Sequence, residues 1–400
     1  MNAKRLTMDV DFADEAYFGR TKPEQLDELF VQMQGAGFDA AIWDTFWCGS
    51  SLYHSDKLPL FNNPMRWQSP KNIAALLKEW DPFARALKRS KETGIQILPY
   101  FRMLEEAYAP FDGDKFFREN PEFWWQTRCG AYRMVGWPCY SYPEVREHML
   151  ERVDDLVDHG ATGAFFDIAR THIPYFCVYS LGKNLDVFGY NKPVVDEFKR
   201  RYGIDLSEFD HTEEISTVER GPGMPFVYEY EWVGTQPHDV WAFKRLLGEG
   251  FELFLREVRK RYPDFYIALQ TGPMESGGRP DEPALATFRI DLEGLCNDGV
   301  VDEYSIPANY RSTAPDIDSY LLPRFENVKT SGKQLTAWLN DILVSDGGGG
   351  GSITREEIES YIDRFIASNI DGAFIHEAAF IRNHPDSDYI WQQMSRLKGV

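Results

Sequence analysis

Gly163-Ala164-Phe165-Phe166-Asp167-Ile168-Ala169-Arg170-Thr171-His172 is a short apolar run that breaks abruptly into a carboxylate, a guanidinium and an imidazole. The apolar half suits a strand of a parallel sheet, buried on both faces. The polar half then falls where catalytic groups of a (β/α)8 barrel project, at the C-terminal ends of the strands. A plainer reading of the same residues is a core strand whose Asp167 pairs with Arg170 and does no chemistry.

Seven more segments read as strands: Leu6 to Val10, Ala40 to Asp44, Ile95 to Phe101, Tyr266 to Gln270, Asp302 to Ile306, Gln334 to Asn340 and Gly372 to His376. Helical patterns separate them at Lys22 to Gln34, Asp81 to Thr93, Pro143 to His159, Val240 to Tyr262, Asp316 to Leu322 and Thr354 to Ser368, and another follows at Asp386 to Leu397. Capping boxes are expected at Thr21-Lys22-Pro23-Glu24, Ser141-Tyr142-Pro143-Glu144 and Thr354-Arg355-Glu356-Glu357, where a hydroxyl precedes a Glu by three positions. Behind the first box Leu26, Leu29, Phe30 and Met33 share a face; behind the second Val145, Met149 and Val153 do, and Gly160 closes that helix. Strict alternation of short strands and amphipathic helices implies a parallel sheet, and eight units over this length favour an α/β (β/α)8 TIM barrel over a doubly wound open sheet.

The fourth unit is longer than the others, with about seventy residues between Arg170 and Val240. We expect a single catalytic domain over residues 1–400, with residues 171–239 as an inserted segment after strand 4 that overhangs the barrel mouth. Within it, Asn191 to Gly203 has a helical pattern with Val194, Phe198 and Tyr202 on one side, and the remainder, including Gly221-Pro222-Gly223, reads as loop. The run Gly347 to Gly351 reads as a pliable loop after strand 7, in a region where barrels often bind phosphate.

The 400 residues are 43% hydrophobic, enough for a large core. A formal charge of -20 argues against nucleic acid and anionic membrane surfaces, since both demand clustered Lys and Arg. Cys48, Cys129, Cys139, Cys177 and Cys296 are odd in number and widely spaced, so they read as buried thiols rather than a disulfide framework. The N-terminus reaches Asp9 and Asp11 before any apolar leader could form, and no run approaches membrane-spanning length, so the expectation is a cytoplasmic protein or an exported one lacking its leader.

The polar residues at the strand ends are Asp9 and Asp11, Trp43 and Asp44, Arg102, Asp167 with Arg170 and His172, Gln270, Asn309 with Tyr310, Trp338 with Asn340 and Asp341, and His376 with Glu377. Carboxylates bind sugar hydroxyls and aromatic faces stack on pyranose rings, so this mouth suits a saccharide. Cleaving a glycosidic bond needs one carboxyl group that is protonated and one that is ionised. Asp167 is the expected ionised nucleophile or base, and Glu377 (or Asp341) the general acid. Asp11, Trp43, Asp44, Arg102, Arg170, His172, Gln270, Asn309, Trp338, Asn340 and His376 are expected to bind substrate. Asp302 and Glu303 fall at the start of their strand, on the stabilising face of the barrel.

No cofactor is expected: GxSxG, P-loop and GxGxxG patterns are absent, and no HxH, HExxH or Cys-rich spacing supports a zinc site built on His172 and His376. Two other classes use the same positions, a barrel that binds sugar without cleaving it and a metal-assisted sugar lyase or isomerase.

Gly94 to Tyr100, Pro143-Glu144-Val145-Arg146, Gly163 to Arg170, Phe198 to Gly203 and Val301 to Pro307 together resemble the glycosyl-hydrolase-like barrels known as family-10-like hydrolases. The resemblance spans Leu6 to Phe380 and implies a (β/α)8 barrel whose fourth strand carries Asp-x-x-Arg, here Asp167 and Arg170, and a carbohydrate-active hydrolase. The chain departs from that pattern in its aromatic Phe165-Phe166 and in its glycine run.

Overall fold

The computed structural model describes residues 4–47, 49–62, 68–104, 115–128, 130, 133–168, 188–207, 212–218, 227–233, 239–271, 288–306, 325–339 and 354–399. Eight parallel strands close into a barrel: β1 (Arg5–Val10), β2 (Ala40–Asp44), β3 (Gln96–Arg102), β4 (Gly163–Asp167), β5 (Tyr266–Gln270), β6 (Glu303–Ile306), β7 (Gln334–Trp338) and β8 (Gly372–Ile375). Each strand pairs with its neighbours in sequence, and β1 pairs with β8 to complete the ring. The strands match the expected segments to within a residue or two. The expected helix at Asp316 to Leu322 and the glycine run lie outside the described residues.

The helices form where caps and apolar faces agree. Asp81 accepts from the backbone of Ala84 at 2.9 Å to start the helix Pro82–Thr93, and Gly94 ends it with φ of 78°. Thr354 and Glu357 make the expected reciprocal box ahead of Arg355–Ala367. The other two boxes are corrected. Pro23–Gly35 starts on Lys22, whose N–H is accepted by Gln25, and Pro143–Asp158 starts on Tyr142 with no side-chain cap. In both, proline at the first helical position sets the start one residue later than the hydroxyl did.

Side chains alternate between the barrel interior and the helix layer along every strand. At the bottom, Glu303 accepts from Arg5 Nε at 3.0 Å, from Tyr266 Oη at 2.8 Å and from Thr336 Oγ1 at 2.9 Å, while Arg5 also donates to Gln96 at 3.0 Å. This is the stabilising role expected for that residue. Two glycines belong to the same crowded end: a Cβ on Gly163 would lie 2.6 Å from Tyr266 Cβ, and one on Gly372 would lie 2.6 Å from the Arg5 carbonyl oxygen. Above them Ala40, Ile42, Leu98, Tyr100, Phe165, Ala268, Trp338 and Phe374 fill the interior as a separate apolar cluster. Outward-facing Leu6, Met8, Phe166, Leu269 and Ile375 join the larger core beneath the helices.

Several elements went unanticipated. A helix, Phe12–Tyr17, follows β1 directly and another, Ala378–Asn383, follows β8. They are fastened to each other by the fully buried Glu15, which accepts from Arg382 at 2.9 Å and also pairs with Arg20. Between residues 171 and 239 the helix Lys192–Tyr202 is present as expected, but Thr212–Val218 and Val227–Val233 form an antiparallel hairpin where loop was expected. Cys139 and Cys296 are buried thiols, pushed up to about 12 and about 11 by burial. Among the described residues no helix is long and apolar enough to cross a membrane.

Candidate active site

Alternation that sends Ile42, Leu98, Phe165, Ala268 and Phe374 into the barrel also sends Asp44, Tyr100, Arg102, Asp167 and Gln270 inward at its C-terminal end, with His376 continuing the interior row of β8. Asp9 belongs to the same rim, because register pairs Met8 with Ile375 and so sets Asp9 beside His376. The first and last strands of the chain thus deliver one corner of the site jointly.

Three clusters make up this rim. In the first, the Tyr100 hydroxyl donates to Asp167 Oδ2, with Tyr100 1% and Asp167 0% exposed. That hydrogen bond sets the direction in which the Asp167 carboxylate points. In the second, Arg102 donates to Asp44 Oδ2 at 2.7 Å, lies 3.9 Å from Asp11 and sits 4.8 Å above the Tyr100 ring. Burial pushes the Asp44 carboxyl well above the usual carboxylate range; Arg102 pulls it back down, and Asp11 and Asp9 push it further up. In the third, His376 Nε2 lies 3.5 Å from Asp9 Oδ2 and 3.5 Å from Glu377 Oε2, and its ring stacks on Trp338 with centroids 5.6 Å apart. Gln270 closes the rim beside Asp167, to which it is paired in register, and its buried Oε1 has no hydrogen-bond partner among the described residues.

Asp44, Arg102, Asp167, Gln270, Trp338, His376 and Glu377 are therefore brought to one end of the barrel, as expected from their strand-end positions. Trp43 is a correction. Asp44 faces inward, so its neighbour must face outward, and Trp43 is fully buried against Phe12 with ring centroids 5.5 Å apart. It is a core residue, not a sugar platform. Asp11 sits at the edge of the site and also caps the helix after β1, accepting from Ala13 at 2.9 Å. Arg170, His172, Asn309, Asn340 and Asp341 lie outside the described residues.

Two residues of the rim escaped the expected set. Tyr100 reads as strand filler, yet it shares parity with Arg102, and that parity is the signal that places its hydroxyl at the site. Asp9 stands at a strand end alongside Asp11, and parity again separates them: Asp9 is 3% exposed and interior, while Asp11 begins the next element.

No protein-family model and no curated protein sequence matches the chain. Solved structures do share its fold. The PgaB (BpsB) glycoside hydrolase domain from Bordetella bronchiseptica is similar over 98% of this chain and 99% of its own, at 14% identity and a TM-score of 0.57. The catalytic domain of β-amylase from Paenibacillus polymyxa is similar over the full length of both chains, at 10% identity and a TM-score of 0.56. α-L-Fucosidase isoenzyme 2 from Paenibacillus thiaminolyticus matches all of this chain with 49% of its own, at 10% identity and a TM-score of 0.55. At such identities the likeness is one of fold, and the barrel is the one implied by the strand pattern.

Proposed function

We propose that the chain is a glycoside hydrolase that cleaves a glycosidic bond in an oligosaccharide or substituted sugar, acting as one catalytic domain. The observation that carries this reading is the Tyr100–Asp167 hydrogen bond at the end of β4. It holds a fully buried carboxylate in a fixed orientation, at the barrel end that also carries Asp9, Asp44, Arg102 and His376. Asp167 is the ionised member of the pair, attacking the anomeric carbon or activating the water that does so.

Glu377 is the acid that protonates the leaving oxygen. It stands beside Asp9 and His376, so a proton leaving Glu377 has neighbours from which to be replaced. Arg102, held by Asp44, and Gln270, with its open carbonyl oxygen, bind ring hydroxyls, and Trp338 backs His376 from within the barrel. Asp341, Arg170, His172, Asn309 and Asn340 remain proposed members of the same mouth on their strand-end positions. The similarity of fold to the PgaB (BpsB) glycoside hydrolase domain and to the β-amylase catalytic domain supports the reaction class.

The test is a screen of wild type and Asp167→Asn against natural oligosaccharides and aryl glycosides, with and without EDTA. Turnover by wild type that survives EDTA and vanishes in Asp167→Asn supports the reading. Equal turnover in both proteins removes Asp167 from the mechanism. Sugar binding without product assigns the barrel to recognition instead.

A further inference from the structure

The corner formed by Asp9, His376 and Glu377 has a second chemistry. Their ligand-type atoms all lie within 4.8 Å of one another, two carboxylates and one imidazole from the two ends of the chain. The separations from His376 Nε2 to Asp9 Oδ2 and to Glu377 Oε2 are both 3.5 Å. That is beyond the roughly 2.7–3.2 Å of an N–H···O hydrogen bond. It equals an edge of a coordination tetrahedron: ligands about 2.0–2.2 Å from a zinc ion stand about 3.3–3.6 Å apart. Trp338 stacks on the imidazole with an interplanar angle of 13°, which fixes the plane in which Nε2 lies.

We propose that Asp9, His376 and Glu377 bind a divalent cation of the zinc class, and that its occupancy inhibits the enzyme. Two carboxylates and a neutral imidazole balance a doubly charged ion, and the imidazole selects d-block metals over calcium or magnesium, which take all-oxygen shells. Three protein ligands leave the fourth position to water or a sugar hydroxyl. The binding stands on geometry alone; the inhibition rests on the reading above, because a cation on Glu377 occupies the oxygen that carries the proton.

The experiment is a calorimetric titration of chelator-stripped protein with zinc chloride, and with magnesium chloride as control. Wild type, His376→Gln and Asp9→Asn are compared, each checked for folding by thermal melt. The expected result is one saturable zinc site in wild type that magnesium does not fill. Each variant should lose affinity by more than about 100-fold, exceeding the 10–100-fold that removing an outer partner of a metal site costs. Unchanged affinity in both folded variants, or no saturable site in wild type, overturns the proposal. With a substrate in hand, zinc at saturation should abolish wild-type turnover and EDTA should restore it; full turnover with zinc bound overturns the inhibitory role. A metal-free protein that hydrolyses no sugar would count against the hydrolase reading and leave the titration to judge the metal site.

Discussion

Replacing Tyr100 by Phe removes one oxygen and nothing else from the site. The ring keeps its edge contact with Phe165, at 5.6 Å between centroids, and its place under the Arg102 guanidinium at 4.8 Å. What is lost is the hydroxyl that donates to Asp167 Oδ2. A hydrogen bond to a charged group contributes about 1.5–3 kcal/mol, and at about 1.4 kcal/mol per tenfold this lowers kcat/KM by about 10- to 150-fold. The loss should fall on kcat, because Asp167 acts on the reacting carbon rather than on ground-state binding. Steady-state kinetics on a substrate from the screen, with a thermal melt to confirm folding, measures it. Added to Asp167→Asn, the same change should have no further effect, since the two residues act as a unit. A folded Tyr100→Phe protein with kcat/KM within twofold of wild type, or one altered only in KM, would refute the assignment of Tyr100 as the group that orients Asp167.

The remaining predictions separate the site from its scaffold. Glu303→Ala breaks the polar plug at the bottom of the barrel, removing a 3% exposed carboxylate and leaving Arg5, Tyr266 and Thr336 without the acceptor they share. Losing one partner of such a pair costs about 3 kcal/mol, which lowers Tm by about 4 °C for a chain of 400 residues; an unchanged Tm would contradict it. Asp44 has a folded-state carboxyl raised well above its unfolded value, so wild type loses stability as pH climbs from the unfolded value through the folded one. Asp44→Asn lacks that slope. Thermal melts across this pH range should show wild type losing ground to the variant with rising pH, and parallel curves would contradict burial of the Asp44 carboxyl as the cause. Trp43→Phe should leave turnover within about twofold while lowering Tm, because the residue packs on Phe12 in the helix layer; a rise in KM would return it to the site.

The barrel was legible because its strands are short apolar runs bounded by capped helices, as at Gly163–Asp167 behind Pro143–Asp158. The site was legible only as a list of strand ends, since those positions carry the polar residues whatever their direction. Parity sorts the list: Asp44 and Tyr100 face inward, Trp43 outward, and an alternating pattern over even five residues contains that information. The hairpin strand Val227–Val233 was also visible in principle, as Tyr and Glu alternate along it with period two. What no local pattern holds is the pairing of Asp9 with His376 and Glu377. It arises from closure of the ring, which joins residues at opposite ends of the chain, so a search for ligands at fixed spacing passes over it.

Cleavage of the first substrate identified, run in water enriched in oxygen-18 with wild type and Asp167→Asn side by side, separates hydrolysis through Asp167 from every other use of the barrel. Wild type should place one heavy oxygen at the newly formed reducing end, and the variant should give no cleavage. An unlabelled, unsaturated product, or labelled product formed by Asp167→Asn at the wild-type rate, would contradict that role.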